Sequence, residues 1–284
     1  MTRVASLTPR PLAPGASPLG AAEPTFVGVL RVPEFRGLWL AQIASLVGDQ
    51  LAKLALAILI FHRTDSALLS SLAYAVAYLP ALLAGPASGL LADVLPRRRV
   101  LIACDLARAG VVALMCLPGL PVYVLLILLL VVSSVESPFA AARSALVPDI
   151  LDGRSYPLAQ SLGQVTEQVG QIIGFAVGGV VVGLISARGA LAVDVATFLV
   201  SAALVVAFVR PRPAPARRGS GSYWHDSAEG ARLVLHSPLL RNLVGVSTIG
   251  LGLIIATEGL AVAYARQLGH GDVAVGLLAA AVPM

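Results

Sequence analysis

The sequence predicts an all-α integral membrane protein, and its composition is the first reason. Of the 284 residues, 57% are hydrophobic and only 12% carry a charge, and the mean hydropathy is +0.87. Soluble domains have about 45–50% apolar and about 25% charged residues. The second reason is that the apolar residues are gathered in stretches of membrane-spanning length. The third is the distribution of basic residues around those stretches.

Seven apolar stretches are long enough to cross a bilayer, whose hydrocarbon core requires roughly 20 residues of helix. An eighth opens near Val273 and contains about 12 residues before Met284, which is fewer than a full span. The predicted spans are residues 36–61, 67–92, 100–117, 120–142, 160–187, 189–209 and 243–265.

The basic residues predict how the chain crosses the membrane. With the N-terminus inside, 15 of the 20 lysines and arginines lie in cytoplasmic segments. The outer connections hold Arg63, Arg188 and Arg266, while Lys53 and Arg108 lie within spans. Because basic residues favour the cytoplasmic side, we expect a multi-pass protein of the cell membrane with a cytoplasmic N-terminus. The net charge of +5 reflects this topology and does not indicate nucleic-acid binding, because no aromatic residues are interleaved with the arginines.

Composition divides the chain into four parts. Residues 1–34 are rich in Pro, Ala, Gly and Ser, and we predict a disordered cytoplasmic tail. Residues 35–209 hold six spans and are expected to form an N-terminal transmembrane bundle. Residues 210–242 are a polar cytoplasmic linker, and residues 243–284 begin a second, incomplete bundle.

A short loop after the second predicted span is the most specific pattern in the sequence. It runs from Gly89 through Asp93, four residues later, to a basic cluster that includes Arg97 and Arg98. This pattern resembles the signature loop of the major facilitator superfamily of secondary transporters. The resemblance implies that superfamily's fold, truncated to a six-helix N-terminal bundle and about one and a half helices of the C-terminal bundle. It also implies a gating loop that locks the outward-facing state.

Two further segments resemble the branch of that superfamily that contains bacterial siderophore and macrolide exporters. One is Asp105-Leu106-Ala107-Arg108, early in the third span, and the other begins at Arg143 and ends at Asp149, after the fourth. We expect Asp105, Arg108 and Arg143 to form a charge network between the third and fourth spans.

Glycines on the fifth span form another pattern. Gly170, Gly174 and Gly178 line one helix face, with Gly179 beside them. The segment resembles the motif of drug and proton antiporters, except that Phe175 replaces that family's proline, and the resemblance implies export. Ordinary contact between helices through small residues explains the same glycines, so both interpretations stay open here.

Charged residues inside spans are the candidates for substrate or proton binding, because each costs at least about 2.5 kcal/mol at the bilayer centre. Asp49 and Lys53 lie about one helical turn apart on the first span. They either neutralise each other as a structural ion pair or serve transport. Glu258 on the seventh span has no basic neighbour in the sequence, and we expect it to be the better proton carrier.

The remaining acids within spans are assigned more modest roles. Glu136 on the fourth span is expected to pair with Arg108 or Arg143, and Asp194 on the sixth is expected to be structural. Glu167 belongs to a polar stripe on the fifth span that either lines a substrate path or bonds to other helices. The other members of the stripe are Gln160, Gln164, Gln168 and Gln171.

Together these residues favour a secondary active transporter. The predicted function is proton-coupled efflux of a drug-like or siderophore-like small molecule by alternating access, with lipid, substrate and protons as partners and with no cofactor or metal. No enzyme activity is expected, because the four histidines and two cysteines share no ligand or catalytic spacing. The alternative is a transport-inactive fragment, or a half-transporter whose missing C-terminal half comes from a partner chain.

Overall fold

The computed structural model describes residues 25–83, 95–214, 232, 236–269 and 271–281, and the regular structure of those residues is entirely helical. The prediction of an all-α protein is confirmed for this part of the chain. In chain order the helices are α1 (Phe26–Arg31), α2 (Pro33–Thr64), α3 (Ala67–Leu83), α4 (Arg97–Met115), α5 (Val122–Ile150), α6 (Tyr156–Phe208), α7 (Pro238–Gln267) and α8 (Asp272–Ala281). Among them, α2, α5, α6 and α7 are long and apolar enough to cross a membrane.

Helix α1 corrects part of the prediction for the N-terminal tail. Thr25 caps the helix by accepting a hydrogen bond from the Gly28 amide at 3.1 Å, and Val29 is buried against the bundle. Helix α2 then begins at Pro33, a residue whose fixed φ suits the first helical turn. Residues 26–31 and those from 33 onward are therefore helical in the described structure, with Thr25 and Val32 as extended caps, whereas the sequence predicts a disordered tail over residues 1–34. Residues 1–24 lie outside the described part of the chain.

Helix α6 contains two spans joined at one residue. A straight helix of 53 residues would be about 80 Å long, far more than the roughly 30 Å of a bilayer core. The helix breaks at Ser186, where φ is 76° and ψ is 163°. The Ser186 hydroxyl accepts a hydrogen bond from the Gly189 amide at 3.4 Å, as an N-cap does. The break lies within two residues of the boundary that the sequence predicts.

Glycines allow α2 and the first arm of α6, residues 156–185, to pack closely. A β-carbon added to Gly174 would lie 2.7 Å from Cβ of Gln50, and one added to Gly170 would lie 2.4 Å from the Leu46 side chain. Gly178 contacts Leu54 in the same way. The stripe of glycines thus faces α2, which is the small-residue contact expected from their spacing.

Helices α7 and α8 contact the first six spans at one end. Near the end of α7, Val262 and Ala265 are fully buried, and the backbone of α8 at Gly276 touches that of α6 at Gly179. Near its start, Leu239 and Val246 are more than 70% exposed. Among the described residues, the bundle is therefore closed at the end where α6 turns at Ser186, and the first residues of α7 are exposed.

Candidate functional site

A polar cavity of about 290 Å³ lies among α2, α3, α4, α5 and α6. Such a cavity is unusual in a bundle of apolar helices, because polar side chains inside a membrane are expensive unless they meet partners or water. It contains the predicted residues Asp49, Lys53, Glu136 and Glu167. The other polar residues that line it are Gln42, Ser45, Gln50, Tyr78, Arg108, Arg143 and Gln171.

Arg108 is the centre of the buried charge network. Its guanidinium donates to Asp105 Oδ1 at 2.7 Å and to Asp49 Oδ2 at 3.2 Å, and its side chain is 1% exposed. The guanidinium also lies between two aromatic rings, 4.6 Å from the centre of Phe139 and 4.4 Å from that of Phe198. Charge pairing and cation–π contacts both stabilise an arginine that water does not reach.

Asp49 and Lys53 do not form the ion pair that their spacing suggests. Asp49 turns to Arg108, whereas the Lys53 ammonium lies 4.9 Å from the ring centre of Tyr78 on α3. The bidentate fork of an arginine is the better partner for a carboxylate, and it reaches Asp49 from another helix. Lys53 is left with the electrostatic attraction of several acids, of which Glu136 contributes most.

Arg143 lies outside the network predicted for it. It donates to Gln42 Oε1 at 2.6 Å and to Glu167 Oε1 at 3.2 Å, and so joins α5 to α2 and α6. Asp105 and Arg108 stay together one turn apart on α4, so the predicted trio is divided between two groups. Glu136 makes no ion pair within 4.0 Å among the described residues, contrary to the expectation that it pairs with Arg108 or Arg143.

Glu258 on α7 reaches the edge of this site. It is 3% exposed, and Oε2 accepts a hydrogen bond from the Tyr78 hydroxyl at 3.1 Å. Lys53 also attracts it electrostatically. Glu258 has no basic partner near it in the sequence, but the fold brings Tyr78 from α3 and Lys53 from α2 close to it. Tyr78 is the residue of this contact that the sequence signals least, because an aromatic residue on an apolar helix usually serves packing.

The arginines of the predicted gating loop make contacts at the N-terminal end of α4. Arg97 donates to Asp149 Oδ2 at 2.5 Å and to the Ala145 carbonyl at 2.8 Å, and Arg98 donates to the Val206 carbonyl at 2.8 Å. Gly89 and Asp93 lie outside the described residues. The partner of Arg97 belongs to the segment after the fourth span that the sequence analysis singled out.

The first residues of the linker cover the same end of the bundle. Arg212 pairs with Glu34 at the start of α2 and donates to the Asp149 carbonyl at 3.2 Å. The hydrogen bond to Glu34 raises the pKa of the Arg212 guanidinium above its usual value. Arg97, Arg98, Arg210 and Arg212 together line a cleft of about 440 Å³. In the sequence these arginines indicate only which segments are cytoplasmic. The sequence does not show that they line one cleft.

A bundle of membrane-spanning helices around a buried, charged cavity defines a polytopic membrane protein of the transporter class. The chain belongs to the Major Facilitator Superfamily, whose family model matches residues 38–284. Both the fold class and the family expected from the signature loop are thereby confirmed.

Three relatives illustrate the similarity. The chain is 27% identical over 221 residues to the uncharacterized MFS-type transporter YkuC of Bacillus subtilis, covering 74% of this chain and 51% of that protein. It is 28% identical over 225 residues to YfiS of the same organism, covering 77% and 53%. It is 25% identical over 181 residues to Macrolide efflux protein A of Streptococcus pyogenes, covering 62% and 44%. The chain spans about half the length of these curated relatives.

Proposed function

We propose that the protein acts in proton-coupled efflux of a small amphipathic molecule by alternating access, with the polar cavity as the substrate path. The observation that carries the proposal is the cavity itself, in which Asp49, Lys53 and Glu136 stand among apolar helices. Intramembrane charges of this kind mark substrate and ion pathways. Its aromatic and aliphatic walls, such as Phe139, suit a ligand with both polar and apolar parts.

Efflux is favoured over uptake by two independent resemblances. The glycine segment from Gly170 to Gly179 resembles the antiporter motif, and one relative carries the name Macrolide efflux protein A. A macrolide-like or siderophore-like substrate is therefore the first to test.

Proton coupling is assigned to Glu258. It is a buried carboxyl on α7, and its hydrogen-bond partner Tyr78 belongs to the six spans that precede the linker. In this superfamily two bundles rock about a site between them. A carboxyl at that boundary changes its surroundings when the bundles move, and this is what a coupling group requires, because its proton affinity then differs between the two states.

The proposal places the N-terminus and the end of the bundle that carries Arg97 and Arg212 on the cytoplasmic side, because basic residues favour that side of a membrane. The contacts of α7 and α8 with the first six spans then lie towards the outer side, where α6 turns at Ser186.

The proposal is tested by efflux from reconstituted vesicles. The purified chain is inserted in liposomes loaded with a radiolabelled macrolide, and release is measured with and without a proton gradient. We expect release that accelerates with the gradient and returns to the rate without a gradient when a protonophore is added. Release that is insensitive to the gradient would rule out coupling to protons, and no release of any labelled macrolide or siderophore would oppose the transport role.

A further inference from the structure

Asp194 is a buried acid that the proposed pathway does not use. It lies on the second arm of α6, residues 187–208, and is 0% exposed. Its Oδ1 accepts a hydrogen bond from the Thr197 hydroxyl at 3.1 Å. Its Oδ2 is inaccessible and has no hydrogen-bond partner among the described residues. The backbone of α2 closes over the group, because a β-carbon on Gly48 would lie 2.2 Å from Oδ1.

The charged groups around Asp194 come from three other helices. Asp49 and Lys53 face it from α2, Arg108 from α4, and Glu136 lines the same small cavity from α5. Cys116, the residue that follows α4, is a further titratable neighbour. Arg108 directs two of its nitrogens to Asp49 and Asp105, and Lys53 lies against the Tyr78 ring. Asp194 therefore makes no ion pair within 4.0 Å in the described part of the chain.

The charge balance of this buried region is negative. Four carboxyl groups, those of Asp49, Asp105, Glu136 and Asp194, face the two cations Lys53 and Arg108. An isolated carboxylate in a low-dielectric interior is so unfavourable that the group takes up a proton instead. Asp105 and Asp194 are both 0% exposed, but both oxygens of Asp105 accept hydrogen bonds, whereas Oδ2 of Asp194 has no partner among the described residues. Asp194 is therefore the one that a proton stabilises most.

We propose that Asp194 is a proton-binding site, distinct from Glu258, and that its carboxyl is protonated at Oδ2 in the conformation described here. Asp194 borders a void of about 10 Å³ that Asp49, Lys53 and Glu136 also line. The same three residues line the central cavity. The void has room for about one water molecule, through which the proton is taken up from, and returned to, the water of the central cavity.

A proton fits this site better than a metal cation does. Among the described residues no group of three His, Cys, Asp or Glu side chains is arranged to hold a metal ion. Lys53 lines the same void, and its positive charge repels a second cation. A proton binds to a single carboxyl oxygen, whereas hard metal cations are coordinated by six or more oxygen atoms.

The test is infrared spectroscopy of the purified chain in an ester-free detergent, because the ester carbonyls of lipids absorb in the same range as a protonated carboxyl. A protonated carboxyl gives a carbonyl stretching band that a carboxylate or an amide does not give. We expect this band at neutral pH, its loss in Asp194→Asn, and its retention in the matched control Asp152→Asn, which alters an exposed aspartate. A band that Asp194→Asn leaves unchanged would overturn the proposal. So would absence of the band at neutral pH together with stabilisation of the protein by sodium, which would indicate a metal site.

If Asp194→Asn does not fold, the wild-type chain supplies the same test. Incorporation of ¹³C-labelled aspartate shifts the carbonyl band of a protonated aspartate and leaves that of a glutamate in place. A band that does not shift would assign the proton to Glu136 or Glu258 and overturn the proposal. The idea that this proton takes part in coupling rests on the proposed function. The infrared band can be measured without substrate, so it tests the protonation of Asp194 independently of transport. A failure of the efflux experiment therefore does not affect this result.

Discussion

The hydroxyl of Tyr78 donates a 3.1 Å hydrogen bond to Glu258, and this bond joins two residues that are 180 positions apart in the chain. Tyr78 belongs to α3, among the first six spans, and Glu258 belongs to α7, beyond the linker. Because the Lys53 ammonium lies 4.9 Å from the centre of the Tyr78 ring, Tyr78 contacts both the one lysine of the chain and the acid of α7. Movement of α7 therefore changes the surroundings of both groups.

Replacement of Tyr78 by phenylalanine removes this bond and keeps the ring. We expect Tyr78→Phe to destabilise the closed end of the bundle by about 1–3 kcal/mol, because Glu258 is left buried without its donor. Thermal unfolding in detergent measures the loss. Tyr123→Phe is the matched control, since the Tyr123 side chain is largely exposed. Equal melting temperatures for the two variants would show that the bond contributes nothing to stability.

Replacement of Glu258 by glutamine tests coupling. Glu258→Gln keeps the shape and the hydrogen-bonding capacity of the side chain and removes its titration. We expect normal expression and loss of efflux driven by a pH gradient, with exchange of substrate at equal pH retained. The measurement is vesicle efflux with and without the gradient, with Asp152→Asn as the control. Gradient-driven efflux at the wild-type rate would remove Glu258 from the mechanism.

Arg108 is expected to be indispensable for folding. Arg108→Gln leaves Asp49 and Asp105 buried without a cation, a change that costs about 3–5 kcal/mol in comparable networks. Arg154→Gln, in an exposed loop, is the control and should have no effect. The yield of monodisperse protein and its melting temperature are the measurements. A stable Arg108→Gln protein would mean that the two aspartates are neutralised by protons once the arginine is removed, and that the cation is not required for folding.

The glycine contact between α2 and α6 is tested by adding one methyl group. Gly174→Ala places a carbon 2.7 Å from Gln50 Cβ, and overpacking of this kind typically costs about 1–3 kcal/mol. Gly110→Ala is the matched control, because a β-carbon there meets nothing within 4 Å. Alanine at that helical position should stabilise the protein by up to about 1 kcal/mol. Thermal unfolding of the two variants should therefore shift in opposite directions.

Local sequence patterns predicted the positions of the helices well. Hydropathy and turn-forming residues determine helix boundaries over only a few neighbouring positions, so a single sequence is enough to read them. The sequence predicts a boundary between the fifth and sixth spans close to the break at Ser186, and it identifies Gly174 and its neighbours as a contact face. The error at residues 25–34 has a local cause as well. A composition rich in Pro, Ala and Gly hides the Thr25 cap and the proline that starts α2.

The partners of the charged residues were not predictable in the same way. Asp49 lies one turn from Lys53 yet pairs with Arg108, and Arg143 bonds to Gln42 and Glu167 rather than to its expected neighbours. Which residues meet depends on the rotation and height of each helix against the others. These are set by packing across the whole bundle, and a single sequence carries no direct signal for them.

The contact between Gly179 on α6 and Gly276 on α8 has a mechanical consequence. With no side chain between them, the two backbones touch, and the helices have no room to slide closer and little reason to separate. In the transport cycle proposed above, α8 would pivot against α6 at this point. A tilt of about 10° about one end of a 30 Å span moves the other end by about 5 Å. A pair of residues that bears no functional group would then convert a small angle at one end of the bundle into a wide opening at the other.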